Sequence, residues 1–368
     1  MEIHLTERAA AEYERISSGA MTPEMASEYL RDGRIQLRTF AESLREVYPF
    51  PDIGRRLTDA FLAFEPESSP EAVAKKVGGW LDGRSRPGHR EDVFKLGFAL
   101  GLNEGDVSHL LGQCTGYGIH YREAMDVIYA WFLRSGRSYA EAREFYAALP
   151  AAERYAGCRE EQGNIHITFE LRNALMSART SEELREAYLR NIGLFGRLHL
   201  RAYRYFEKYL GLLRRPESGW DGDPEEDYSL DTVMKKYLTL RMPSGRARGR
   251  YSVTQKLLKR NWPNATSLKN IRAQREDVPR KLLLLLYVIT ENVVDGEYSE
   301  LDEDYLSIGE RLRQHWWVLN AILIDCGMPT LDPRNATDWL IMYALTAGGD
   351  ESMSERMSQV IDHLFADM

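Results

Sequence analysis

Residues 80–102 read WLDGRSRPGHREDVFKLGFALGL. Trp80 and Leu81 end one apolar segment, Gly83 and Pro87 punctuate a basic turn, and Val93, Phe94, Leu96 and Leu100 fall at helical spacing before Gly101 closes the second segment. Glycine and proline interrupt regular structure, whereas apolar residues three and four apart line one face of a helix. The stretch therefore reads as two helices joined by a short basic turn.

The same pattern continues on both sides. Apolar periodicity marks RIQLRTFAESLREVY (34–48), DIGRRLTDAFLAF (52–64) and SPEAVAKKVGGWLDG (69–83) before the turn, then HREDVFKLGFALG (89–101) and NEGDVSHLLGQC (103–114) after it. Five short helices follow over residues 34–114, with Val77, Trp80, Leu81, Val93, Leu96 and Leu100 expected in one core. Helix-start signals recur along the whole chain: Thr22-Pro23-Glu24, Ser69-Pro70-Glu71, Asn103 with Asp106, Ser138 with Glu141, Thr180 with Glu183, Asn335 with Asp338, and Ser352 with Glu355. Each couples a side-chain acceptor for the orphan N–H groups of a first turn to an acid suited to the positive helix end. Strand signals are scarce. GNIHITFEL (163–171) alternates briefly and reads equally as a helix. The expected fold class is all-α, mostly helical. Breaks at LPAAERYAGCREEQGN (149–164) and RRPESGWDGDPEEDYS (214–229) suggest domains over 1–150, 151–227 and 228–368.

With 368 residues, 43% hydrophobic and 28% charged, the chain has the apolar mass for substantial cores. Cys114, Cys158 and Cys326 are odd in number and far apart, which suggests neither a disulfide framework nor a zinc knuckle and fits a reducing cytoplasm. The longest apolar run, Leu282–Ile289, is too short for a membrane span, which needs roughly 20 residues. The first residues carry no apolar core of a signal peptide.

The five segments over 34–114, with Trp80, Gly83, Arg84 and Pro87 followed by the Val93–Leu100 helix, resemble the Xre/Cro/λ-repressor-like helix-turn-helix family. The remainder is similar in outline to uncharacterised helix-turn-helix proteins of Firmicutes. The resemblance implies that the third helix enters the major groove of double-stranded DNA and that neighbouring loops hold phosphates. Lys75, Lys76, Arg84, Arg86, His89 and Arg90 are the candidate phosphate contacts. Pro70, Glu71, Ala72 and Val73 occupy the usual polar reading positions, and Glu65 and Glu67 precede them, so a helix-turn-helix kept for protein contacts is the competing reading.

The net charge of −8 conceals segregation. Between Arg241 and Lys281 stand 12 Lys and Arg against Glu276 and Asp277, a local +10. Acidic stretches flank this island: Glu217 to Asp231 before it, and eight carboxylates without a basic residue from Glu291 to Glu310 after it. Arg246, Arg248, Arg250, Lys256, Lys259, Arg260, Lys269, Arg272 and Arg275 could track a nucleic-acid backbone, gaining affinity by counterion release. Alternatively they pair in cis with the acidic flanks, or receive an acidic protein partner. RNA would require stacked aromatics among them, for which Tyr251 and Trp262 are the candidates. Within the island, Arg275-Glu276-Asp277-Val278 repeats Arg90-Glu91-Asp92-Val93, which raises a duplication. Asp277 is expected to cap the following Leu-rich helix, with Pro279 at its first position.

Trp316, Trp317, Trp339 and Tyr343 suit a core or a homodimer interface. No phosphate loop, nucleophile elbow, HExxH motif or metal-ligand spacing occurs, and the eight histidines are dispersed. The sequence thus reads as a cytoplasmic, non-enzymatic DNA-binding regulator with no cofactor, and second as a protein-interaction adaptor.

Overall fold

The computed structural model describes residues 5–152, 167–196, 199–214, 229–245, 251–260, 262–294, 306–348 and 351–366. Among these residues every regular element is a helix and no strand occurs. In chain order the first nine are α1 (Glu7–Ser17), α2 (Pro23–Arg31), α3 (Phe40–Val47), α4 (Ile53–Phe64), α5 (Pro70–Leu81), α6 (Arg90–Leu100), α7 (Glu104–Thr115), α8 (Ala124–Arg134) and α9 (Tyr139–Ala147). There follow α10 (Ile167–Met176), α11 (Ser181–Arg190), α12 (Leu200–Arg214), α13 (Leu230–Val233), α14 (Val253–Lys259) and α15 (Ala265–Arg272). The last four are α16 (Arg280–Val294), α17 (Ile308–Asp325), α18 (Ala336–Ala344) and α19 (Met353–Phe365). No helix among the described residues is long and apolar enough to cross a membrane.

The start signals act as expected. Thr22, Ser69, Asn103, Ser138, Thr180, Asn335 and Ser352 all accept a first-turn backbone N–H, and Ser138 with Glu141 and Ser352 with Glu355 close reciprocal capping boxes. Three details differ from expectation. The first of the five segments becomes helical only at Phe40, where Thr39 and Glu42 form a capping box. The alternating stretch is helical from Ile167, its residues 163–166 lying outside the described residues. Finally, α16 opens at Arg280, so Pro279 precedes the first turn instead of standing inside it. The expected breaks at 149–164 and 214–229 lie largely outside the described residues.

The chain divides into two units, neither of which follows a simple sequence order. A central unit comprises Arg38–Leu200 and Cys326–Pro329; a terminal unit comprises Met1–Leu37, Arg201–Asp325 and Thr330–Met368. In the central unit α3 packs on α5 and α7, α4 on α5 and α6, and α8 on α9, around a core that runs from Phe40 to Phe195. Val77, Trp80, Val93, Leu96 and Leu100 are buried together there, with Leu81 packed partly buried against them. The Trp80 indole meets the Phe61 ring edge-on at 5.3 Å, so its work is packing.

In the terminal unit α2 lies along α19, and α18 packs on α14, α16 and α19. Trp339 and Tyr343, one turn apart on α18, stack at 5.6 Å, and Tyr29 from α2 stacks on Trp339. The buried Glu12 carboxylate accepts from the Tyr29 hydroxyl at 2.7 Å and from the Trp339 indole N–H at 3.2 Å, which satisfies two polar tips that the aromatic core would otherwise strand. Of the four aromatics read as core or interface, Trp316, Trp339 and Tyr343 are buried and Trp317 is exposed.

Truncating a buried large aromatic leaves a cavity that its neighbours fill poorly. Trp80→Ala is expected to destabilise the protein by about 3 to 5 kcal/mol. Urea denaturation followed by tryptophan-independent far-UV circular dichroism checks this, and an unchanged midpoint would contradict the assigned core.

Candidate functional site

The cations singled out in the sequence fall into two groups. Lys75, Arg84, Arg86 and His89 are exposed on α5 and the loop that leads to α6, Arg84 pairing with Asp82 and Arg86 donating to the Gln113 carbonyl at 3.0 Å. Lys76 is instead consumed within the unit. Its Nζ lies 3.0 Å from Glu65 and 2.9 Å from Asp92, and Lys95 meets the same Glu65 carboxylate at 2.8 Å. Burial works against the charged form of Glu65, yet hydrogen bonds from Lys95 and Lys76 hold its pKa below the ordinary carboxylate range.

The island divides in the same way. Arg246, Arg248 and Arg250 lie outside the described residues. Lys256, Arg260, Arg272 and Arg275 are exposed, and Lys269 pairs with Asp231 at 2.6 Å, one link to the acidic flank in cis. Lys259 is buried and donates to the Pro243 and Ser244 carbonyls. Lys281 donates to the Leu258 and Arg260 carbonyls at 2.9 and 2.7 Å, where it caps the end of α14; burial pushes its amine down to about 8. Both candidate stacking aromatics are engaged: Tyr251 is buried edge-on to Phe365, and the Trp262 indole donates to the Leu238 carbonyl at 3.0 Å.

Arg90 proves to be the pivot of the central unit. Standing at the first position of α6, it pairs with the fully buried Asp126 in the first turn of α8 and donates to the Thr115 hydroxyl and to the Tyr117 and Gly118 carbonyls. Asp126 also accepts from the His120 backbone N–H at 2.8 Å, and the Ser108 hydroxyl accepts from the Ile119 N–H at 3.0 Å. The loop between α7 and α8 is thus pinned from both sides. It lies so close to α7 that a Cβ at Gly118 would come within 2.3 Å of the Ser108 hydroxyl oxygen.

The terminal unit contains the same device. Arg280, first residue of α16, pairs with the buried Asp338 in the first turn of α18 at 2.6 Å and donates to the Thr330 carbonyl at 3.1 Å. Asp338 accepts from the Asp332 N–H at 2.9 Å, and Asn320 accepts from the Leu331 N–H at 2.7 Å. Ser108, Gly118, Ile119, His120 and Asp126 each have their counterpart 212 positions on, at Asn320, Thr330, Leu331, Asp332 and Asp338. The sequence carries the same register: a cysteine, seven residues, an arginine, one residue, an alanine, one residue and an aspartate, from Cys114 to Asp126 and again from Cys326 to Asp338. The Arg-Glu-Asp-Val echo does not mark the clamp, since the partner of Arg90 in role is Arg280, 190 positions on and outside the 212-position register, while Arg275 is exposed.

Beside the first clamp lies a cavity of about 540 Å3, entirely within the central unit. The pinned loop contributes Tyr117, His120, Tyr121 and Arg122, α7 contributes Glu104 and Ser108, α10 contributes Arg172, and His199 comes from the segment before α12. The rings of Tyr117, His120 and His199 sit 6.0 to 6.4 Å apart, and the Arg172 guanidinium lies 4.9 Å over the Tyr121 ring, whose hydroxyl donates to Glu104. Both ring nitrogens of His120 are buried. Burial pushes this imidazole down to about 3, with His199, Arg90 and Arg122 adding cationic repulsion. It is therefore neutral at physiological pH. These residues escaped the sequence reading because they come from four separate segments; the repeated cysteine-to-aspartate pattern was the one signal that marked the loop. Among the described residues no three His, Cys, Asp or Glu side chains are placed to hold a metal ion. No protein-family model, curated protein or solved structure matches the chain.

Removing one partner of a buried ion pair leaves the other charge uncompensated, at a cost of about 3 to 5 kcal/mol. Arg90→Met and Arg280→Met are each expected to lose that much in chemical denaturation, and a loss under about 1 kcal/mol would contradict the pivot role. His120 supplies a pH dependence of defined sign. Its folded pKa lies below its unfolded value, so stability is complete above about pH 6.5 and falls as the pH drops, because the unfolded chain takes up a proton that the folded one refuses. Between pH 7 and 5 this amounts to about 2 kcal/mol, and His120→Gln is expected to flatten the stability profile by that amount.

Proposed function

We propose that the protein is a DNA-binding regulator whose central unit reads duplex DNA through α5. One observation carries the reading: α5 buries Val73, Val77 and Trp80 against α4 and its neighbours, while Pro70, Glu71, Ala72, Ala74 and Lys75 in its first half are exposed. A five-residue turn, Glu65 to Ser69, separates the two helices. That is the disposition a recognition helix requires, with the C-terminal part locked in a core and the N-terminal part offered to a groove. Exposed Arg84, Arg86 and His89 follow within the next loop and suit phosphate oxygens. Lys76 and Arg90 belong to the fold's internal pairs and take no part in this reading.

The test is a mobility-shift assay on duplexes selected from random sequence by the purified protein. The triple change Lys75→Glu, Arg84→Glu and Arg86→Glu is expected to abolish binding and leave the melting temperature unchanged, since all three side chains are exposed. For the wild type, three phosphate contacts imply that log affinity falls with log salt at a slope of roughly −2.7. Glu67→Gln with Glu71→Gln is expected to strengthen binding by removing exposed carboxylates from the same surface. If no duplex is selected, and the glutamine pair instead abolishes capture of a protein partner, the surface is an adaptor's.

A further inference from the structure

The terminal unit supplies a control for the cavity of the central unit. It closes the same Arg–Asp clamp with Asp332 and Pro333 at the positions of His120 and Tyr121, and the residue that corresponds to Tyr117 in the sequence register is Pro329. The clamp therefore needs neither a phenol nor an imidazole at those places. The central unit nonetheless puts two phenols and an imidazole there, and gathers them with His199 and Arg172 around about 540 Å3. Cavities of roughly 300 to 1,000 Å3 with ring-lined walls and a few convergent polar groups are where proteins hold small molecules.

The lining also selects a chemistry. Arg122 and Arg172 face Glu104 as the one carboxylate of the lining, and that carboxylate already accepts from the Tyr121 hydroxyl. His120 stays neutral, so it adds a ring to the lining and no charge. The exposed Arg172 guanidinium at the cavity favours an anion, since a guanidinium is well suited to phosphate or carboxylate oxygens. We infer that this cavity binds an aromatic anion of mononucleotide size, its ring against Tyr117, His120 and His199 and its anionic group at Arg172. Ring and anion are read by different side chains, so each half of the ligand is separately testable. The site is independent of the DNA-reading surface, and its occupancy is measured without DNA.

The experiment is isothermal titration calorimetry on the full chain with AMP, GMP, CMP and UMP, and with adenosine and inorganic phosphate as half-ligands. At least one monophosphate is expected to bind one to one with a Kd below about 1 mM, and adenosine and phosphate at least about tenfold more weakly. Arg172→Gln, at an exposed position, is expected to weaken the monophosphate about tenfold without changing the melting temperature of the unliganded protein. Tyr117→Ala is expected to do the same and Tyr117→Phe to restore binding, because the clamp uses only the backbone carbonyl of this residue. The inference is overturned if none of the four monophosphates binds. It is equally overturned if phosphate alone binds as tightly as the nucleotide, or if Arg172→Gln and Tyr117→Ala both bind like the wild type.

Discussion

A guanidinium at the head of one helix, held by a carboxylate at the head of another, fixes a loop in each unit. The placement is electrostatically costly on one side, because Arg90 and Arg280 set a cation at the positive end of α6 and α16. Asp126 and Asp338 offset it, and they also suit the positive ends of α8 and α18. A buried pair of this kind is weak support for stability as such, since desolvation consumes much of the Coulomb gain. Its value lies in geometry. The guanidinium satisfies loop carbonyls and the carboxylate satisfies a loop N–H, so a segment without regular structure has its polar groups paired at the edge of a core.

The same economy withdraws several cations of the described residues from any partner. Lys76, Arg90, Lys259, Arg280 and Lys281 all serve the fold, each bonded to carboxylates or to carbonyls left open at turns and helix ends. What remains exposed around α5 is a small set that includes both signs, Lys75, Arg84 and Arg86 beside Glu67 and Glu71.

Much of the fold was legible because helix starts are local events. A Ser, Thr or Asn followed two or three residues later by an acid bonds to its own first turn, and seven such signals became seven caps. The five-helix core around Trp80 followed from periodicity for the same reason. The clamps were not legible as clamps, because Arg90 and Asp126 are 36 residues apart and Arg280 and Asp338 are 58 apart. Helix propensity says nothing about such pairs. The Arg-Glu-Asp-Val echo in the sequence points to Arg275, five residues away from the guanidinium that closes the second clamp. The cavity was hidden further, since Arg172 enters it from α10 and His199 from the segment before α12, and neither sequence carries a sign of the loop.

The terminal unit has a consequence for biosynthesis. Its α2 packs along α19, and the Glu12 carboxylate accepts from Tyr29 and from Trp339, so this part of the unit is completed by a residue translated 327 positions after Glu12. At about 5 to 20 residues per second, the ribosome needs roughly 20 to 60 s to pass from Leu37 to the end of α19. Throughout that interval Ala26, Tyr29 and Leu30 on the nascent chain have no native cover, while residues 38–200 of the central unit are being made. Synthesis that stalls before α19 leaves the apolar face of α2 open, the kind of surface that holding chaperones cover.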